Sequence, residues 1–154
     1  MQKQVIGRPR DVSDAVWLDV ESKAAVEITS EDPTRPIESA IRLGVEAGWR
    51  AADPGPQVIR LLFNQPQRIS HVRLKFTERE RERTQEFVLS WAQDGGRPFE
   101  EIVRQQWNFS PKGSTEELED YSVNLDGAAI LELKVNPDVS GRTAFASLDQ
   151  LRIA

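Results

Sequence analysis

A chain of 154 residues that is 38% hydrophobic and 29% charged has the makings of a soluble globular domain with a core of its own. A net charge of −5 argues against a nucleic-acid binder, which would show a basic face. The absence of cysteine excludes disulfides, thiolate metal sites and a cysteine nucleophile at once.

Residues 1–8 lack the apolar centre of a signal peptide, and no apolar run reaches the roughly 18 residues that a membrane helix needs. A cytoplasmic protein without a membrane partner is expected, or an extracytoplasmic one if further residues precede Met1. Residues 1–15 are polar and aperiodic, and are expected to form a flexible arm ahead of a single domain at residues 16–154. Ala25-Val26-Glu27-Ile28-Thr29 alternates and is β-branched, which predicts a strand. Pro36, with Ile37 and Ile41 four apart and Gly44 as a stop, predicts one short helix. Ala52-Asp53-Pro54-Gly55-Pro56 is a turn.

Residues 57–63 and 69–76 read as two strands joined by Asn64-Gln65-Pro66-Gln67. In the second, Val72, Leu74 and Phe76 alternate with Arg73 and Lys75, the pattern of a sheet wet on one side. The charged stretch at residues 77–83 has no apolar side to bury and reads as a solvated loop or strand end. Phe87, Leu89 and Trp91 mark the next strand, closed by the hairpin chemistry of Gln93-Asp94-Gly95-Gly96. A return run at residues 99–107, a loop at 108–117, and strands at 121–125, 129–135 and 146–153 complete the chain. Eight or nine short strands with regular turns predict an all-β sandwich or barrel.

Catalytic signatures are missing. His71 would have to serve any Ser-His-Asp triad, and no Gly-x-Ser-x-Gly elbow, His-Glu-x-x-His motif, phosphate loop or Gly-x-Gly-x-x-Gly fingerprint occurs. Among 25 acidic residues no spacing singles out a pair for sugar hydrolysis. A non-catalytic protein without a cofactor is expected.

Several segments, in this order and spacing, resemble discoidin domains, the coagulation-factor type C modules of the galactose-binding domain-like superfamily. Val26-Glu27-Ile28-Thr29-Ser30-Glu31-Asp32, Ile37-Glu38-Ser39-Ala40-Ile41 and Gly48-Trp49-Arg50-Ala51 are similar to their opening. Residues 57–76 resemble their W-I-x-L-x-F-x-x-P-x-x-I-x-x-V-R-L stretch, with Val58 for the usual Trp. Residues 87–95 resemble Y-x-I-x-x-S-x-D-G, and Ala146-Ser147-Leu148-Asp149-Gln150-Leu151-Arg152-Ile153 resembles the closing A-S-L-x-E-I-R. The resemblance implies an antiparallel jelly-roll β-sandwich with ligand loops gathered at one end. It also implies, in many members, a structural calcium held partly by an A-x-D-G loop and the closing Glu. Here Arg42 and Gln150 stand at those positions, a repulsive cation and a lost anionic ligand, so no metal is expected.

Sugar-binding members set an aromatic face beside hydrogen-bonding tips, because a sugar offers C–H groups on one face and hydroxyls at its edge. Trp17, Trp49 and Trp91 fall at positions that read as core. Trp107 follows the polar Arg104-Gln105-Gln106 and opens a long loop, so it is the candidate plate, with Arg104, Tyr121 and His71 as candidate helpers. Loop placement, rather than a matched motif, selects these four. The expectation is a binding module for carbohydrate, with an intracellular protein–protein interaction domain on the same fold as the alternative.

Overall fold

The structure, a computed structural model, describes residues 16–45, 47–94 and 98–154. The expected N-terminal arm and the Gly95-Gly96 turn lie outside the described residues. The elements in order are α1 (Val20–Lys23), β1 (Ala24–Ile28), α2 (Glu38–Ile41), β2 (Trp49–Arg50), β3 (Gln57–Thr77), β4 (Arg83–Ala92), β5 (Glu100–Phe109), β6 (Glu116–Asn136), β7 (Ser147–Leu148) and β8 (Gln150–Ile153). The expected short helix is present as the single turn α2, and a second single turn, α1, precedes β1.

The fold is an antiparallel jelly-roll β-sandwich. Its architecture follows from β3 and β6, which pair with each other along most of their length. Each runs through one sheet, bends, and returns through the other. The first half of β3 and the last half of β6 lie in a five-stranded sheet ordered β1-β3-β6-β4-β5. The second half of β3 lies between the first half of β6 and β8. At the bend the register shifts between Leu62 and Gln67, Gln67 and Ile69, and Ile69 and His71, while Gln67 stays opposite Ala128. Bulges of this kind bend a paired strand without breaking it. The Asn64–Gln67 connection between two expected strands is therefore a bend inside one strand, and so is the break between the strands expected at 121–125 and 129–135, where Gly127 has φ 72°.

Alternation sets the core. Ile28, Ile59, Leu133, Leu89 and Val103 lie side by side across the five-stranded sheet. Val72, Leu74 and Phe76 point inward from the facing sheet, and the Phe76 and Phe87 rings stack across the gap at 5.4 Å. Trp49 is fully buried, with Nε1 donating to the Ser30 carbonyl at 3.1 Å. Trp91 packs half-buried against the core. Trp17 departs from its core expectation. It covers the outer face of the second sheet, with Arg73 5.5 Å from its ring centroid and the His71 ring at 5.6 Å.

Two buried arginines hold the ends together. Arg152 of β8 donates to the carbonyls of Ala40, Arg42 and Val45, which fastens the closing strand to the α2 segment. Arg83, 2% exposed, donates to Glu78 Oε1 and to the Pro137 carbonyl, each at 2.8 Å, and lies over the Phe109 ring.

Candidate functional site

Because β3 and β6 both start and finish at one end of the sandwich, the connections there converge. The segments around Arg35, at residues 47–50, 77–81 and 143–150 enclose an open cleft of about 700 Å³. That lies within the roughly 300–1,000 Å³ of small-ligand sites. The end of β3 supplies Lys75 and Thr77, and the β7–β8 corner supplies Ser147, Asp149 and Gln150. Thr77 Oγ1 donates to Asp149 Oδ2, and the Asp149 amide donates to the Lys75 carbonyl at 2.8 Å, so the floor is fixed.

The wall opposite is equally built. Arg35 donates through Nε to the Gly48 carbonyl at 3.2 Å, and its own amide donates to the Asp32 carbonyl at 2.8 Å. Gly48 has φ +77°, and a Cβ there would sit 2.9 Å from both Asp149 Cα and the Leu148 carbonyl oxygen. Only glycine lets the two walls approach this closely. Arg50 lies over the half-buried Phe145 ring, 5.1 Å from its centroid.

Cations outnumber anions along the cleft. Arg35, Arg50, Lys75, Arg79 and Arg81 face three acids, Glu78, Glu80 and Asp149. Burial pushes the Glu78 carboxyl up, but the Arg83 guanidinium, the Glu80 amide and the Arg81 charge together hold it below its ordinary value. Behind the wall, hydrogen bonds from Thr34 lower the Asp32 carboxyl, with Arg50 and Arg35 adding to the effect.

The four residues singled out from sequence do not meet in one site. Arg104 lies on the outer face of the five-stranded sheet, paired with Glu86 at 2.8 Å and Glu101 at 3.0 Å. His71 lies on the outer face of the other sheet, with Nε2 3.1 Å from Asp120 Oδ1, and Arg73 bonds the same carboxylate at 2.8 Å. Asp120 is pushed up by partial burial, yet these two partners carry it below its ordinary value. Trp107 and Tyr121 are both half-buried and pack against the core. Trp107 Nε1 donates to Ser114 Oγ at 3.1 Å, and the Tyr121 hydroxyl donates to Glu119 Oε2 at 3.1 Å. Tyr121 is raised by burial and by the Glu119 charge.

Beside Tyr121 lies an unexpected group. Glu117 points inward from β6 and is fully buried. Gln85 donates to its Oε1 at 3.1 Å, while Oε2 has no hydrogen-bond partner among the described residues. Burial first, then the neighbouring Glu119, push the Glu117 carboxyl up to about 8. A proton on Oε2 gives that atom a hydrogen bond to donate and removes the like-charge conflict. Among the described residues no group of three or more His, Cys, Asp or Glu side chains is arranged to hold a metal ion. Arg42, which stands where the sequence resemblance sets a calcium loop, is paired with Glu21 at 2.7 Å.

A scan against protein-family models finds no match, and a search of curated proteins finds none either. Solved structures do match over most of the chain. A CBM32 module from Clostridium perfringens in complex with GalNAc-β-1,3-galactose is 21% identical, with a TM-score of 0.63 over 90% of this chain and 99% of that one. A pectin-binding carbohydrate-binding module is 16% identical, with a TM-score of 0.59 over 85% and 89%. The CBM32 of AlyQ, in complex with 4,5-unsaturated mannuronic acid, is 18% identical, with a TM-score of 0.58 over 91% and 98%. The fold is that of these carbohydrate-binding modules. Most of each module is covered, so the likeness concerns the whole sandwich rather than one sheet. At these identities it speaks for the fold alone.

Proposed function

We propose that this protein is a non-catalytic carbohydrate-binding module whose site is the cleft at the loop end of the sandwich. The observation that carries this reading is the cleft itself, a fixed concavity lined by the half-buried Phe145 ring among many hydrogen-bonding side chains. Such a lining meets both the C–H face and the hydroxyl edge of a sugar. The likeness in fold to modules described with galactosyl, pectic and mannuronic ligands supports the same reading. The lack of a recognised catalytic motif in the sequence supports binding without turnover.

A protein partner remains the alternative function. Among the described residues, the exposed large apolar side chains Val16, Leu43, Phe99, Leu118 and Val139 come from five different segments, so no single described element presents an apolar face to such a partner. A glycan array with the labelled protein, run with and without calcium, tests the proposal. Saccharide binding that Phe145→Ala weakens by about tenfold supports it. Binding unaffected by any cleft substitution, or a blank array, overturns it.

A further inference from the structure

Five arginines outside the cleft are ion-paired. Arg42 pairs with Glu21, Arg60 with Glu132, Arg73 with Asp120, Arg104 with Glu86, and Arg142 with Asp138. The cleft breaks that habit. Among the described residues, the guanidinium groups of Arg35, Arg50, Arg79 and Arg81 form no ion pair with a carboxylate. Arg35 reaches the Gly48 carbonyl, Arg81 the Thr143 carbonyl, and Arg50 the Phe145 ring, all neutral groups. Of the three acids, Glu78 is already engaged by Arg83 and Asp149 by Thr77. A chain with net charge −5 has thus gathered four arginines that form no ion pair among the described residues, where five cations face three acids in one concave place. An anion bound there would relieve the mutual repulsion of these cations.

We infer that the cleft takes an acidic saccharide, one whose carboxylate or sulfate oxygens accept from these arginines. The inference rests on the carbohydrate reading above and narrows it to a ligand class. A planar guanidinium offers two parallel donors to such a group, which gives orientation as well as attraction. Arg35 and Arg50 stand on the wall beside Phe145, and Arg79 and Arg81 on the 77–81 loop. A sugar seated between them meets cations on two sides, which suits a chain of acidic residues better than a single charged unit. The cleft is open to solvent, so the attraction should be screened by salt.

The test uses the whole protein and calorimetric titration with four probes: an oligogalacturonide, its carboxyl-reduced neutral counterpart, a sulfated oligosaccharide and a neutral galactosyl oligosaccharide. Acidic probes should bind at least about tenfold more tightly than neutral ones, and weaken by about tenfold between 50 and 500 mM salt. The contrast between oligogalacturonide and sulfated probe identifies which anion the site prefers. Arg79→Ala, at an exposed residue, should lower acidic-probe affinity about tenfold with unchanged melting temperature. Neutral probes binding as tightly as acidic ones overturn the inference and leave the carbohydrate reading standing. No binding by any of the four, together with a blank array, overturns both.

Discussion

Glu117 carries its carboxyl in a place where a charged carboxylate has little support. Gln85 satisfies one oxygen, while Glu119 repels, and the fully buried side chain cannot reach water. With its carboxyl pushed up to about 8, the folded protein holds a proton that the unfolded chain releases near 4.5. The native state therefore binds more protons than the unfolded state between those values, and stability from this group falls as pH rises through that window. The slope approaches about 1.4 kcal/mol per pH unit where the difference is one full proton. Asp120, Glu78 and Asp138 are lowered and act in the opposite sense, losing their stabilisation as pH falls through their lowered values. Glu117→Gln isolates the first effect, because an amide can accept from Gln85, donate to Glu119 and never ionise. Thermal unfolding of this variant should show a higher melting temperature than the parent at pH 8, with the gap closing towards pH 5. A parallel pair of curves would show that Glu117 titrates normally.

Gly48 makes a second residue-scale prediction. Alanine there meets both the positive φ and the backbone of Leu148 and Asp149. The conformational part alone is about 1–2 kcal/mol, and displacing backbone adds to it. Denaturant unfolding of Gly48→Ala should show a loss above about 2 kcal/mol. The same walls flank the cleft, so ligand affinity should fall with it.

At the scale of elements, local pattern exposed most strands and hid their continuity. Val72, Leu74 and Phe76 alternate cleanly because one face of their sheet is wet, and the structure buries all three. Pro66 and the polar residues around it look like a loop, yet pairing with β6 resumes at Gln67 opposite Ala128, because a bulge absorbs the extra residues. The same holds at Gly127. Its positive φ supplies the kink, but nothing lies within 4 Å of where its Cβ would be. Gly127→Ala should therefore cost only the backbone term, about 1–2 kcal/mol, less than Gly48→Ala, which comparison by denaturant unfolding would check. The start of β6 was hidden for another reason. The expected loop at 108–117 takes in its first residues, but Glu117 and Glu119 point inward while Leu118 is 49% exposed, reversing the usual polarity of a strand.

At the scale of the molecule, the fold was far more legible than the site. Alternation and turn spacing are local, and together with the order of the resembling segments they specify a jelly roll. The cleft is assembled from segments far apart in sequence, and no short motif marks it. The charged run at 77–83 carries the clearest missed signal. It reads as a solvated loop, whereas Arg83 is buried and residues 78–81 line the cleft. Alternating charge cannot distinguish a solvated face from one that neutralises a ligand. That distinction needs the partners, and only the folded chain reveals that Glu78 is taken by Arg83 while Arg79 forms no ion pair among the described residues. Trp107 is not among the residues that line the cleft. A tryptophan at a loop end looks like a plate, but here its ring packs on the core and its Nε1 is spent on Ser114.

The most direct test maps where a saccharide touches the protein. Backbone amide chemical shifts would be followed by NMR while an oligosaccharide chosen from the glycan array is titrated into the labelled protein. Shifts concentrated at residues 47–50, 77–81 and 143–150 are expected. Shifts concentrated around Trp107 and Tyr121, or on the outer face near Arg104 or His71, would contradict the assignment of the loop-end cleft.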